Sequence, residues 1–451
     1  MFFNKQEWLK ISFLLCVCGF AREIRPNEPY INEYLRGYGH NFTQDEISQK
    51  ILPATTYTYL AVLVIIFLIT DLLRYKPLLI IMGLFGTIMS SMLIWTTSLI
   101  CAQIAMAFYG MFLACEVAYF AYIYTKVDKP YYSKVTAHTR AAMFLGQLVA
   151  GMLSQILLYF DIADYKSLNY MTLCAQIFAT LWAFILPKVD QSLYFHRKTS
   201  IKNATKLPLS SSAPNPQDTK SIASEGSQQV ETPKAFKLLW SHFYNAYSNL
   251  RVVQWSIWYA VSLCGYLQIV FYTQVLWIKI EPNMEVALNG GVDAVLTALA
   301  TVMALVAGYV HAGRLKPLQS LLVVSVFAAL EGGAILLCSL TSNIYVSYGG
   351  YILFTGLYAF SITVASAEVA RYLEEDSFGL VFGVNTFMAV LLQTFLTIIV
   401  VSGSVFSLDI RGQYTVYAFY YITISCAFVI AVAVEYLIGR RKENILARVA
   451  D

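Results

Sequence analysis

Glu116 lies in Phe112-Leu113-Ala114-Cys115-Glu116-Val117-Ala118-Tyr119-Phe120, near the middle of a long apolar run. A carboxylate at the centre of a membrane helix costs about 2.5–3.5 kcal/mol on insertion scales, so its presence needs a reason. No Lys, Arg or His stands near it in that run, and Tyr119, three residues on, shares its helical face. Two uses are open: Glu116 faces an aqueous cavity and a ligand, or it pairs with another helix. Glu28 sits between Pro26 and Pro29, where the helical ladder must break. Irregular backbone at membrane depth is tolerated only beside protein or a cavity, although an acid at a helix end beside Arg25 fits the spacing equally well. Glu331 and Asp293 are further acids within apolar runs, whereas deep basic residues are almost absent from those runs. The interior is therefore expected to be net acidic, attracting a cation and repelling an anion. Tyr272, Gln268, Asn289 and Gln393 add polar and aromatic groups, and aromatic faces suit a planar cation by about 0.5–2 kcal/mol.

Enzyme chemistry is not expected. The five histidines (His40, His138, His196, His242, His311) stand alone near run ends or in loops. Neither a His-Glu-x-x-His nor a Gly-x-Ser-x-Gly pattern occurs, so the expectation is no catalytic residue, no metal and no cofactor.

The elements that hold these residues follow from composition. Of 451 residues, 58% are hydrophobic and 13% charged, with a mean hydropathy of +0.59, which is the profile of a polytopic membrane protein. Twelve apolar runs can span a bilayer: about 8–30, 54–74, 77–97, 101–126, 138–160, 168–187, 250–278, 287–311, 316–338, 344–370, 378–401 and 412–439. With both termini cytoplasmic, 24 of the 31 Lys and Arg fall on the inside and seven, Arg22 and Arg25 among them, on the outside. The positive charge is thus topogenic, which removes a nucleic-acid partner and leaves the lipid bilayer. The eight cysteines all lie in apolar runs, where they pack as small hydrophobes.

The organisation expected is an N-terminal six-helix bundle over 1–187, a largely disordered cytoplasmic linker over 188–249, a C-terminal six-helix bundle over 250–439 and a cytoplasmic tail over 440–451. The linker centres on Ser210-Ser211-Ser212-Ala213-Pro214-Asn215-Pro216, which cannot bury enough surface to fold. Arg74-Tyr75-Lys76-Pro77 after the second span returns as Arg314-Leu315-Lys316-Pro317 after the eighth. A match at equivalent spans is what two parallel repeats require, the all-α major facilitator fold. There, Asp71, Arg74 and Arg314 would gate the inner side, unless they only anchor helix ends. Of two sequons, Asn41-Phe42-Thr43 and Asn203-Ala204-Thr205, the topology exposes only Asn41 to glycosylation.

Several stretches resemble solute carrier family 19, the reduced folate carriers and thiamine transporters. They are Ile24-Arg25-Pro26-Asn27-Glu28-Pro29, Tyr57-Thr58-Tyr59-Leu60-Ala61-Val62-Leu63-Val64, Thr70-Asp71-Leu72-Leu73-Arg74-Tyr75-Lys76-Pro77, Asn289-Gly290 and Leu380-Val381-Phe382-Gly383-Val384-Asn385-Thr386-Phe387. In the folate branch, the positions that look like Glu116, Thr355 and Gln393 carry cations. The thiamine branch resembles this chain instead. That resemblance implies plasma-membrane import of thiamine, or a related organic cation, by alternating access; a monomer is expected. Glu28 and Glu116 would meet the aminopyrimidine and balance the thiazolium, while Tyr119, Tyr272 and Asn289 would line the site. Thr55 and Gln147 stand where a thiamine carrier has aromatic residues. The alternative is a folate or other organic-anion carrier.

Overall fold

The computed structural model describes residues 4–37, 40–73, 75–127, 131–189, 232–282, 287–311, 316–373, 377–402 and 408–450. From the start, α1 (Asn4–Glu23) leads through a 3-10 turn (Glu28–Tyr30) into α2 (Ile31–Arg36). Next, α3 (Gln44–Glu46) joins α4 (Leu52–Leu72) through a π-helical segment (Ile47–Ile51). The first half continues with α5 (Lys76–Trp95), α6 (Leu99–Ala114), α7 (Glu116–Lys126), α8 (Tyr132–Tyr159) and α9 (Tyr165–Ala183). After α10 (Thr232–Tyr247), the second half comprises α11 (Leu250–Ile280), α12 (Asn289–His311), α13 (Pro317–Leu340), α14 (Ile344–Arg371), α15 (Phe378–Leu396) and α16 (Ile410–Ala450).

Local sequence explains many of the ends. Proline stands in the first turn of α4, α5 and α13, where its missing N–H costs nothing. Thr43 closes a capping box with Glu46. Among the described residues, ten helices are long and apolar enough to cross a membrane. The sequence reading counts twelve spans. Of the twelve expected spans, the two not among the ten fall on α1, which carries Lys5, Glu7, Lys10, Arg22 and Glu23, and α9, which mixes Ser, Asn, Thr and Gln with its apolar residues. Bare apolar side chains such as Ile65, Leu181, Leu305 and Leu437 face outward, as lipid contact requires.

Helices α1, α4–α6, α8 and α9 pack among themselves, as do α11–α16, and the halves meet along α8–α12 and α4–α15. The first seam depends on two glycines. A Cβ at Gly151 would lie 2.7 Å from the Gly290 carbonyl oxygen, and one at Gly290 would lie 2.7 Å from that of Gly151. Small residues let helix backbones approach this closely. Gly290→Val is expected to destabilise the protein by about 1–3 kcal/mol, read as a lower Tm and folded yield in detergent.

One stretch differs from its sequence reading. The linker expectation runs to residue 249, yet Thr232–Tyr247 is helical. The Ser/Pro-rich centre of the linker and Asn203 lie outside the described residues, as do Arg74 and Arg314; of Asp71, only its place in the last turn of α4 is described.

Candidate functional site

The span that holds Glu116 is not a continuous α-helix. It changes at Cys115, where α6 ends and α7 begins with Glu116 as its first residue. The Ala118 N–H donates to the Cys115 carbonyl at 3.0 Å, a tightened turn in mid-membrane. An anion at the first position of α7 is favoured by the helix dipole.

Glu116 belongs to a network of five charges. Arg22 reaches its Oε1 at 3.2 Å and also pairs with Glu23. Arg25 bonds Glu23 Oε2 at 2.8 Å and Glu28 Oε2 at 3.2 Å. The Gln147 amide donates to Glu23 at 3.0 Å, and the Tyr109 hydroxyl donates to Glu28 at 2.6 Å. Both guanidinium groups lie over the Phe112 ring, Arg22 also over Tyr119 and Arg25 over Tyr109, at 5.4 to 5.8 Å. Two guanidiniums against three carboxylates leave one net negative charge. Glu23 is 2% exposed, whereas Glu116 is 35% and Glu28 45% exposed. The buried acid is thus the hub of the cluster, and the open coordination falls on the two exposed acids.

This corrects two expectations. Arg22 and Arg25, assigned to the outside by charge counting, are buried within the helix bundle, so deep basic residues are present. Glu116 is both paired with another helix and open to a cavity.

That cavity, about 410 Å³, lies between the halves and takes its walls from both. Glu116, Tyr59 and Phe120 face Tyr259, Phe382 and Thr386 across it. Arg140, over the Phe120 ring at 5.4 Å, is the second charge in the lining, so the wall is less one-sidedly acidic than expected. Thr70, Tyr75 and Gly379 carry the cavity to the end of the bundle that bears both chain termini.

The opposite end is latched. The Tyr30 hydroxyl donates to Gln155 Oε1 at 2.8 Å and accepts from the Gly290 N–H at 3.0 Å. The Gln274 amide donates to the Glu28 carbonyl at 2.8 Å, and Asn289 donates to the Pro29 carbonyl at 3.0 Å and to Glu33 Oε1 at 2.9 Å. The Tyr348 hydroxyl completes Asn289 at 3.1 Å. Glu33 was not among the sequence candidates. Nothing in its local pattern separates it from a solvated helix residue.

Of the candidates among the described residues, only Glu116 lines the cavity. Glu28 joins it through Arg25, Glu23 and Arg22. Tyr119 turns toward α1, its hydroxyl donating to the Leu15 carbonyl at 2.7 Å. Asn289 is part of the latch. Tyr272 and Gln393 are buried, and the Tyr272 hydroxyl and both amide atoms of Gln393 have no hydrogen-bond partner among the described residues. The Gln268 amide donates to the Tyr417 hydroxyl and accepts from that of Thr397, and Glu331 Oε1 accepts from the Ser361 hydroxyl. Thr55 donates to the Met106 carbonyl at 3.1 Å and, like Gln147, contributes no ring to the site. Asn41, whose backbone is left-handed at φ 52°, is exposed at the latched end.

Two helical halves with a cavity between them and a seal at one end have the architecture of the major facilitator fold. The solved nucleoside transporter NupG superposes with a TM-score of 0.62 at 12% identity, over 94% of this chain and 99% of that one, a likeness of fold. Residues 6–416 match the family described as reduced folate carrier, and the chain belongs to that family. Human thiamine transporter 1 is 36% identical over 97% of this chain and 92% of its own length. Folate transporter 1 of Caenorhabditis elegans is 33% identical over 94% and 91%. The protein is a multi-pass transporter and not an enzyme.

Proposed function

We propose that this transporter carries thiamine, or a closely related organic cation, inward across the plasma membrane by alternating access. The observation that carries the reading is Glu116, a part-exposed carboxylate on the cavity wall at the break between α6 and α7. A second exposed acid, Glu28, belongs to the same network, whose net charge is negative. In this reading the latched end faces outward, the cavity opens to the cytoplasm, and Asp71, Arg74 and Arg314 gate that inner side. Tyr119 supports the site from behind, holding Arg22 against Glu116. Tyr272, Asn289 and Gln393 would reach substrate only when the latch opens. Moving one positive charge inward gains about 2.3 kcal/mol per 100 mV, roughly fiftyfold accumulation without a coupled ion.

Competition uptake in cells expressing the chain tests this. Labelled thiamine uptake is expected to be suppressed by excess pyrithiamine and left unchanged by reduced folate. Glu116→Arg is expected to reduce it at least tenfold. Arg140 in the lining favours a second reading, an organic-anion carrier. Folate uptake matching thiamine uptake, and unchanged in Glu116→Gln, would establish that reading instead.

Sidedness has its own test. If the latched end is extracellular, Asn41 is available for glycosylation and Asn203 is not. Glycosidase treatment should then shift the protein on a gel by one glycan, and Asn41→Gln should abolish the shift.

A further inference from the structure

Helix α10 carries three distinct faces. Trp240, Phe243, Tyr244 and Tyr247 recur at i, i+3, i+4 and i+7, so the four rings form one stripe. Trp240 stacks on Phe243 with centroids 5.5 Å apart, and Phe243 meets Tyr247 at 4.7 Å. Trp240 and Tyr244 are 67% and 66% exposed, although they are among the largest side chains of the helix. Beside this stripe runs an exposed polar one of Lys237, Ser241 and Asn245, followed by exposed Ser248 in the turn after the helix. The remaining side, with Leu239 and Ala246, turns into the protein, and Leu239 lines the central cavity.

The position of the stripe identifies what covers it. α10 ends at Tyr247 and the membrane-spanning α11 begins at Leu250. Leu250 is 80% exposed and Ile257, two turns on, is also bare, so lipid must cover α11 from its first turn. The bilayer surface therefore passes the junction of the two helices. Trp and Tyr concentrate at that depth, where an apolar ring body and a polar tip are both satisfied, and a lysine alongside favours anionic headgroups. We propose that α10 is an interfacial helix, with Trp240 and Tyr244 seated in the headgroup layer at the termini-bearing end of the transporter. The C-terminal end of the same stripe is fixed to the protein by the Tyr247 hydroxyl, which donates to Asn385 on α15 at 2.9 Å. The helix thereby ties the cavity mouth to the membrane surface.

The test uses the full chain reconstituted in vesicles of phosphatidylcholine with phosphatidylserine. The signal of Trp240 is taken as the difference between wild type and Trp240→Phe, since seven tryptophans contribute in total. Lipids brominated near the headgroup end of their chains should quench this difference signal at least twofold, and aqueous iodide should leave it unchanged. Quenching by iodide would place Trp240 in water and overturn the proposal. Quenching by neither would place it under protein and would also overturn it. In the functional arm, Trp240→Ser with Tyr244→Ser should lower uptake about fivefold while Trp240→Phe stays near wild type. Equal uptake by the double variant would refute the tie to the cavity mouth.

Discussion

Glu23→Gln is expected to be far more damaging to the fold than Glu116→Gln or Glu28→Gln, although all three remove one negative charge from one cluster. Glu23 is almost fully enclosed and bonds both Arg22 and Arg25. Removing it leaves two buried guanidiniums that share only the exposed carboxylates at 3.2 Å. Breaking a buried pair by deleting one partner costs about 3–5 kcal/mol, because the surviving charge cannot be rehydrated. Glu116 and Glu28 are part-exposed, and removing either leaves Arg22 and Arg25 still paired with Glu23, so the cost falls toward the ~0–1 kcal/mol of an exposed pair. Thermal melting in detergent should therefore show a loss of many degrees for Glu23→Gln and little change for the other two. Uptake should fall in all three, from lack of folded protein in the first and from a weakened site in the others. Equal melting losses for Glu23→Gln and Glu116→Gln would refute this division between a structural acid and the site acids.

That division marks the limit of what the sequence reveals. Apolar runs and the mid-run Glu116 were legible because each depends on composition within one segment. The partner of Glu116 was not, since Arg22 comes from a helix 94 residues away and nothing local aims it inward. The run Arg22-Glu23-Ile24-Arg25 reads as an exposed helix end. Tertiary packing instead draws it between Phe112, Tyr119 and Tyr109 and makes the charges satisfy one another. Asn289 illustrates the same limit from the other direction. Its amide could serve a ligand, but in this conformation both bonds its nitrogen donates, to Pro29 and Glu33, cross between the halves and close the latch, while its oxygen accepts from Tyr348. The stripe on α10 was readable from spacing alone, yet the polar stretch before it dominated the composition of the region.

The latch should respond to pH through Glu33. Its Oε1 accepts from Asn289, and its Oε2 is enclosed without a hydrogen-bond partner among the described residues. Burial pushes this carboxyl up to about 7, against the lowering effects of the Asn289 bond and of Arg36 on its own helix. The hydroxyls of Tyr30 and Tyr348, the other titratable groups around it, bring no positive charge. In an opened, hydrated latch the carboxyl returns toward its usual 4.5. The closed form thus holds its proton more tightly. Below about 4.5 both forms are protonated and the closed latch carries no penalty. Between about 4.5 and 7 the penalty grows by at most about 1.4 kcal/mol per pH unit, and above 7 it is constant. Acidifying from pH 7.5 to 5.5 should therefore tighten the latch several-fold. A cysteine at Ala287, buried beneath Tyr30, would report opening as its labelling rate by an impermeant thiol reagent, relative to a cysteine at exposed Glu281. That ratio should fall on acidification in the wild-type background. In Glu33→Gln, which mimics the protonated acid, it should stay at the low value across the range. A ratio that falls equally in both backgrounds would assign the pH response to a group other than Glu33.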